Sequence, residues 1–161
     1  MLAGCDIEAW LSERSERVTR AAREIRFEHF GGLSSLLVLS MPQSPQLRWP
    51  GLEEFYSRFS GGSIGNGFLE IGTPGEDDYT SSRGRRLLSL TEIASQSRAA
   101  GIEFAEDELP FATVVFMFVY ALRRDGGLAC HDRDFGTVSH GETFEQVLNR
   151  WWSGIVNDRA H

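Results

Sequence analysis

The chain has no lysine; all sixteen of its basic residues are arginine. Its two cysteines, Cys5 and Cys130, are too few for a disulfide framework, so it reads as a protein of a reducing compartment, the cytoplasm. No apolar run approaches the roughly 20 residues that a membrane-crossing helix needs, so no membrane partner is expected. Positive charge is also short overall. The sixteen arginines stand against twenty-three acids, for a formal net charge of −7. Residues 1–50 hold six acids and six arginines, so residues 51–161 carry the whole imbalance. A phosphate-backbone binder needs a positive surface, which argues against nucleic acid as a partner. A negative surface keeps a chain soluble and attracts a basic protein.

At 161 residues the chain fits one domain, 1–161, with residues 1–48 as an N-terminal helix and strand extension and 49–161 as the core. A domain of this size buries about 70% of its unfolded surface and needs neither disulfide nor metal. Leu2-Ala3-Gly4-Cys5 looks like a lipoprotein cleavage box. No basic or apolar stretch precedes it and Asp6 and Glu8 follow at once, so it is not read as an export signal.

The most apolar stretch is Ala112–Leu122. It is rich in β-branched and aromatic residues and is bounded by Pro110 and by Arg123 to Gly127. It reads as one central strand buried on both faces. Asp6 caps a first helix whose stripe of Ile7, Trp10, Leu11, Val18, Ala21, Ala22 and Ile25 runs at helical spacing. Glu13–Arg17 and Glu16–Arg20 would pair along it. Gly31-Gly32 ends that helix, Leu33–Leu39 reads as a strand, and Met41–Pro50 as a loop. Leu52, Phe55, Tyr56 and Phe59 make a short helix after Pro50, closed by Gly61-Gly62. Phe68–Ile71 reads as a strand and Gly72–Gly84 as a polar surface loop. Arg86–Leu88 reads as extended. Ser89 and Glu92 form a capping box for a helix ending at Gly101. Ile102–Phe104 reads as a strand, followed by an acidic turn at Glu106-Asp107-Glu108. Asp125-Gly126-Gly127 is a hairpin turn leading to a strand at Leu128–His131, then Thr137–Ser139. Thr143 and Gln146 cap a last helix with Phe144, Val147, Leu148, Trp151 and Ile155 on its core face. The pattern predicts an α+β fold with helices packed on a mostly antiparallel sheet.

Few residues suggest chemistry. The glycines of Gly61–Gly67 leave a helix and enter a strand, the reverse of a phosphate cradle. Cys130, His131, Asp132, Asp134 and His140 are metal-capable, but strand alternation puts Cys130 and Asp132 on one face and His131 on the other. Their spacing matches no established metal pattern, so no metal, cofactor or catalytic residue is assigned. A small metal-dependent hydrolase using Cys130, His131, Asp134 and His140 remains an alternative. Among the tryptophans, Trp49 in its loop is expected to be the most exposed, and Trp152 lies off the main apolar face of the last helix. Either could anchor an interface.

The order of signals from Trp49 onward resembles the SMI1/KNR4 family (the SUKH superfamily). The matching pieces are Pro50-Gly51-Leu52-Glu53-Glu54-Phe55-Tyr56-Ser57-Arg58-Phe59-Ser60-Gly61-Gly62, then Phe68-Leu69-Glu70-Ile71, then Leu87 through Ile93. Last come Asp125 through Asp132, Gly136-Thr137-Val138 and Thr143 through Leu148. The resemblance implies a non-enzymatic binding protein of the immunity type, which neutralises a cognate bacterial protein toxin. It transfers no catalytic or toxin-binding position. On charge and exposure, the expected partner-binding residues are Trp49, Glu76, Asp77, Asp78, Glu106, Asp107, Glu108, Asp132 and Asp134, facing a basic toxin. A regulatory scaffold domain is a further alternative.

Overall fold

The computed structural model describes residues 1–29, 37–40, 47–75, 86–138 and 142–157. Among them, nine strands follow one another in sheet order, each antiparallel to the next, with four helices. The fold is α+β, with helices near both ends of the chain.

Helix α1 spans Ile7–Arg14. Asp6 caps it by accepting from the Ala9 amide, and it buries Ile7, Trp10 and Leu11. The expected helix through Ile25 stops there. Ser15 is extended, and the chain instead forms a hairpin of β1 (Arg17–Arg20) and β2 (Glu24–Glu28). Two periodicities compete in this stretch, and the shorter one prevails. Ile25 and Phe27 alternate with charged residues and are both buried, whereas Val18, Ala21 and Ala22 are exposed. Arg17 and Arg20 accordingly pair across elements and not along a helix. Arg17 meets Glu28 at 3.2 Å, while Arg20 and Arg58 each reach the Glu8 carboxylate at 2.6 Å.

Strand β3 is Leu37–Ser40 and pairs with β2 and β4. The rest of the expected strand at 33–39 and most of the expected loop at 41–50 lie outside the described residues. Helix α2 is Glu53–Arg58. Gly61-Gly62 does not cap it; Phe59 does, and the glycines open β4 (Gly61–Ile64). Gly61 has φ +127°, and a Cβ there would stand 2.6 Å from the Ile71 carbonyl oxygen, so close strand approach requires glycine at 61. Strand β5 is Leu69–Ile71.

Helix α3 (Leu90–Ala99) starts at the Ser89–Glu92 capping box. Ile102–Phe104 forms no strand; it runs irregularly against α3, with Ile102 buried. The apolar run at 112–122 is not one strand. It folds into two, β6 (Glu108–Val114) and β7 (Phe118–Arg123), around a tight turn at Val115-Phe116. Both strands are nonetheless buried on both faces, as their composition requires. Pro110 sits beside a bulge in β6, where a missing amide does least harm. Strand β8 (Leu128–Asp132) follows the turn at Gly126, and β9 is Gly136–Val138. Helix α4 (Phe144–Asn157) is capped reciprocally by Thr143 and Gln146.

The register assigns the faces. Leu69, Ile71, Ala112, Val114, Phe118, Tyr120, Leu128 and Cys130 face the main core with α1, α2 and α4. Phe144 packs edge-on between Phe111 and Tyr120, and Trp10 meets Trp152 at 5.4 Å. On the other face Val119 meets Ile93 and Ile102 of the α3 layer. No helix among the described residues is long and apolar enough to cross a membrane.

Candidate functional site

On the α3 face, the register aligns Ser63, Glu70, Thr113, Val119, His131 and Thr137 in one row across six strands. Such a row places polar side chains under a helical layer, where each needs a partner. His131 has two. Its Nε2 lies 2.7 Å from Glu108 Oε2 and its Nδ1 lies 2.9 Å from Thr137 Oγ1. The His131 and Glu108 side chains are only 3% and 8% exposed. The other Glu108 oxygen accepts from the Ala105 amide at 3.0 Å, and Phe104 stands edge-on to the imidazole at 4.9 Å. Hydroxyl, imidazole and carboxylate thus form one chain from β9 to β6. Glu108, expected on the surface of an acidic turn, is instead turned inward, because it begins β6 on the buried face.

Cys130 points the other way. Burial raises its thiol pKa, and burial likewise pushes Cys5 and the neighbouring Tyr120 up to about 12. The Tyr120 hydroxyl accepts from Trp151 Nε1 and from Arg150, each at 2.9 Å. Cys130 and His131 therefore lie on opposite faces, as alternation implies, and share no site. Asp134 is in the β8–β9 turn, away from the imidazole's two partners, and His140 lies outside the described residues. Among the described residues, no three His, Cys, Asp or Glu side chains gather where they could hold a metal ion.

The acidic and aromatic candidates divide between the two ends of the sheet. Trp49, expected to be exposed, is buried at 8%. Its indole donates to the Leu122 carbonyl at 3.0 Å, and Arg124 covers its face at 4.1 Å. The indole has a fixed acceptor at the end of β7, and that decides its placement over loop composition. Glu106 and Asp107 are exposed at this same end, where the Asp107 carbonyl accepts from the Arg124 amide. Asp132 and Asp134 are at the opposite end. There, Asp132 Oδ1 accepts from the Asp134 and Phe135 amides. Glu76, Asp77 and Asp78 lie outside the described residues. Trp152 is half-buried against Trp10 and His29.

At the Asp132 end, Asp132 and Asp134 were expected from the sequence, but the exposed apolar side chains beside them were not. Three hairpin tips meet there. The Val115 amide donates to the Phe68 carbonyl and the Arg133 amide to the Met117 carbonyl, which ties the 65–68, 115–117 and 132–136 turns side by side. Phe135 is 86% exposed, Val115 47% and Met117 38%. A hollow of about 510 Å³ opens beside the tips, walled by Gly67, Glu70, Arg86, Thr113, Val115 and Phe116. The one available signal was length. Eleven residues, all but Thr113 apolar, are about twice an ordinary strand.

Compared with known proteins, the chain matches no family model, no curated protein and no solved structure.

Proposed function

We propose that this chain is a protein-binding module of the immunity type, similar to SMI1/KNR4 proteins, which neutralises a basic bacterial toxin by direct contact in the cytoplasm. One observation supports the reading above the others. Among the described residues, the imidazole and thiol that hydrolytic chemistry would draw on are tied into the interior: both nitrogens of His131 and both oxygens of Glu108 have partners, and Cys130 is buried on the other face. Several other acids remain outside. Glu106, Asp107, Asp125 and Asp134 are exposed, and the chain carries −7 overall. Such a surface attracts a basic partner and speeds encounter.

Co-expression with the C-terminal domain encoded by the adjacent gene tests the reading. The expected result is restored growth, a purified complex, and an association rate that falls steeply from low to high salt. Growth arrest that persists, with no complex on mixing the purified proteins, would refute it.

A further inference from the structure

We infer that the docking surface is the end of the sheet where the Val115–Met117 and Asp132–Gly136 tips meet, and that it inserts into a concave, basic-rimmed site on a partner protein. The inference rests on the immunity reading and gives it a location.

Two observations converge on this end. The first is backbone conformation. Val115 and Phe116 have φ +47° and +57°, and the Met117 amide donates to the Val114 carbonyl at 3.0 Å. This is a two-residue hairpin turn with both central residues left-handed, a geometry that favours Asn-Gly. A β-branched valine is among the least suited residues for it. Strain of this kind persists where something other than stability selects the side chain. The second is exposure. Val115, Met117 and Phe135 stand out from the surface together, although a hairpin tip is where polar residues cost least. Phe135 is held outward by the Asp132 carboxylate, which accepts the amides of Asp134 and Phe135 and fixes the turn beneath the ring.

Shape and charge select the occupant. The tips project, so the complementary surface is a cleft. Two carboxylates, Asp132 and Asp134, flank the apolar knob, and Arg133 lies 3.8 Å from Asp134. The local balance is negative and so is the chain. A second copy would bring −7 against −7, and an anionic lipid surface would repel the knob in the same way. A cleft with an apolar floor and a basic rim is complementary to both the knob and its flanks. A toxin enzyme's substrate site has this form when its substrate is anionic.

The test uses Val115→Asn and Phe135→Ser, singly and combined, in the full chain, against the adjacent gene's C-terminal domain. Neither replaced side chain supports the core. Val115→Asn removes the strained β-branch, so its melting temperature is expected to hold or rise by about 2–4 °C. The double variant is expected to bind about tenfold or more weakly, chiefly through faster dissociation, and to lose growth protection. A more stable but weaker-binding protein is the result a purely structural turn could not give. A double variant that binds within about twofold of the parent overturns the proposal and leaves the immunity reading standing. A parent chain that neither binds nor protects removes both. Sedimentation of the parent as a dimer that the double variant abolishes, or flotation of the parent with phosphatidylserine vesicles, would replace this occupant with another.

Discussion

Glu108 and His131 meet at 2.7 Å across β7, although 23 residues separate them in sequence. The register puts the short Ala121 side chain between Arg123, opposite Glu108, and Val119, opposite His131. This leaves room for the carboxylate to cross the intervening strand. The contact joins the first strand of the central hairpin to the terminal hairpin, and Thr137 extends it to β9.

Removing the carboxylate leaves a buried imidazole nitrogen short of a partner. Glu108→Ala is expected to destabilise the fold by about 1–3 kcal/mol. Glu108→Gln, which retains an oxygen and adds a donor, should lose less than half as much. Urea denaturation of the two variants beside the parent measures both. Equal losses would mean that the contact is not supporting the sheet.

Gly61 and Gly126 both have positive φ, yet alanine should affect them very differently. At Gly126 a Cβ would meet nothing within 4 Å, so only backbone conformation is at stake, about 1–2 kcal/mol. At Gly61 the Cβ would stand 2.6 Å from the Ile71 carbonyl oxygen and 2.9 Å from that of Gly72. The strands must then part, adding about 1–3 kcal/mol. Thermal melts of Gly61→Ala and Gly126→Ala should separate clearly, with Gly61→Ala the less stable.

Trp49→Phe keeps most of the buried ring and deletes its N–H. The Leu122 carbonyl loses its donor and Arg124 its best aromatic face. The expected cost is about 1–2 kcal/mol. Loss of binding to a partner at unchanged stability would instead make Trp49 an interface residue.

Alkali should unfold this protein early. Tyr120 and Cys5 are acids whose folded pKa values are raised to about 12, from 10.0 and 9.0, by burial. Their neutral forms belong to the folded state. The stability they confer is complete below the ordinary values and is lost as pH climbs from about 9 toward 12. Melting temperature should hold up to about pH 8.5 and then fall across that window. At pH 7.5, iodoacetamide should spare Cys5 and Cys130 in the native chain and label both in urea. Rapid native labelling would contradict their burial.

Local signals determined what local chemistry controls. Asp6, the Ser89–Glu92 and Thr143–Gln146 boxes, and the Gly126 turn were all legible because each is settled by residues within four positions. The α+β class followed from the same spacing. Alternation also foretold that Cys130 and His131 would part. What the sequence could not determine was set by competition between distant segments. Residues 17–28 carried both a helical and an alternating pattern, and pairing with β3 favours the strand. The run at 112–122 contained no turn residue, so only sheet pairing on both sides could bend it at Val115. Glu108 and Trp49 resembled surface residues until a register and a carbonyl acceptor, supplied by strands far along the chain, drew them inside. Burial of a polar group depends on whether a partner awaits it, and the partners here are fixed only when the whole sheet has formed.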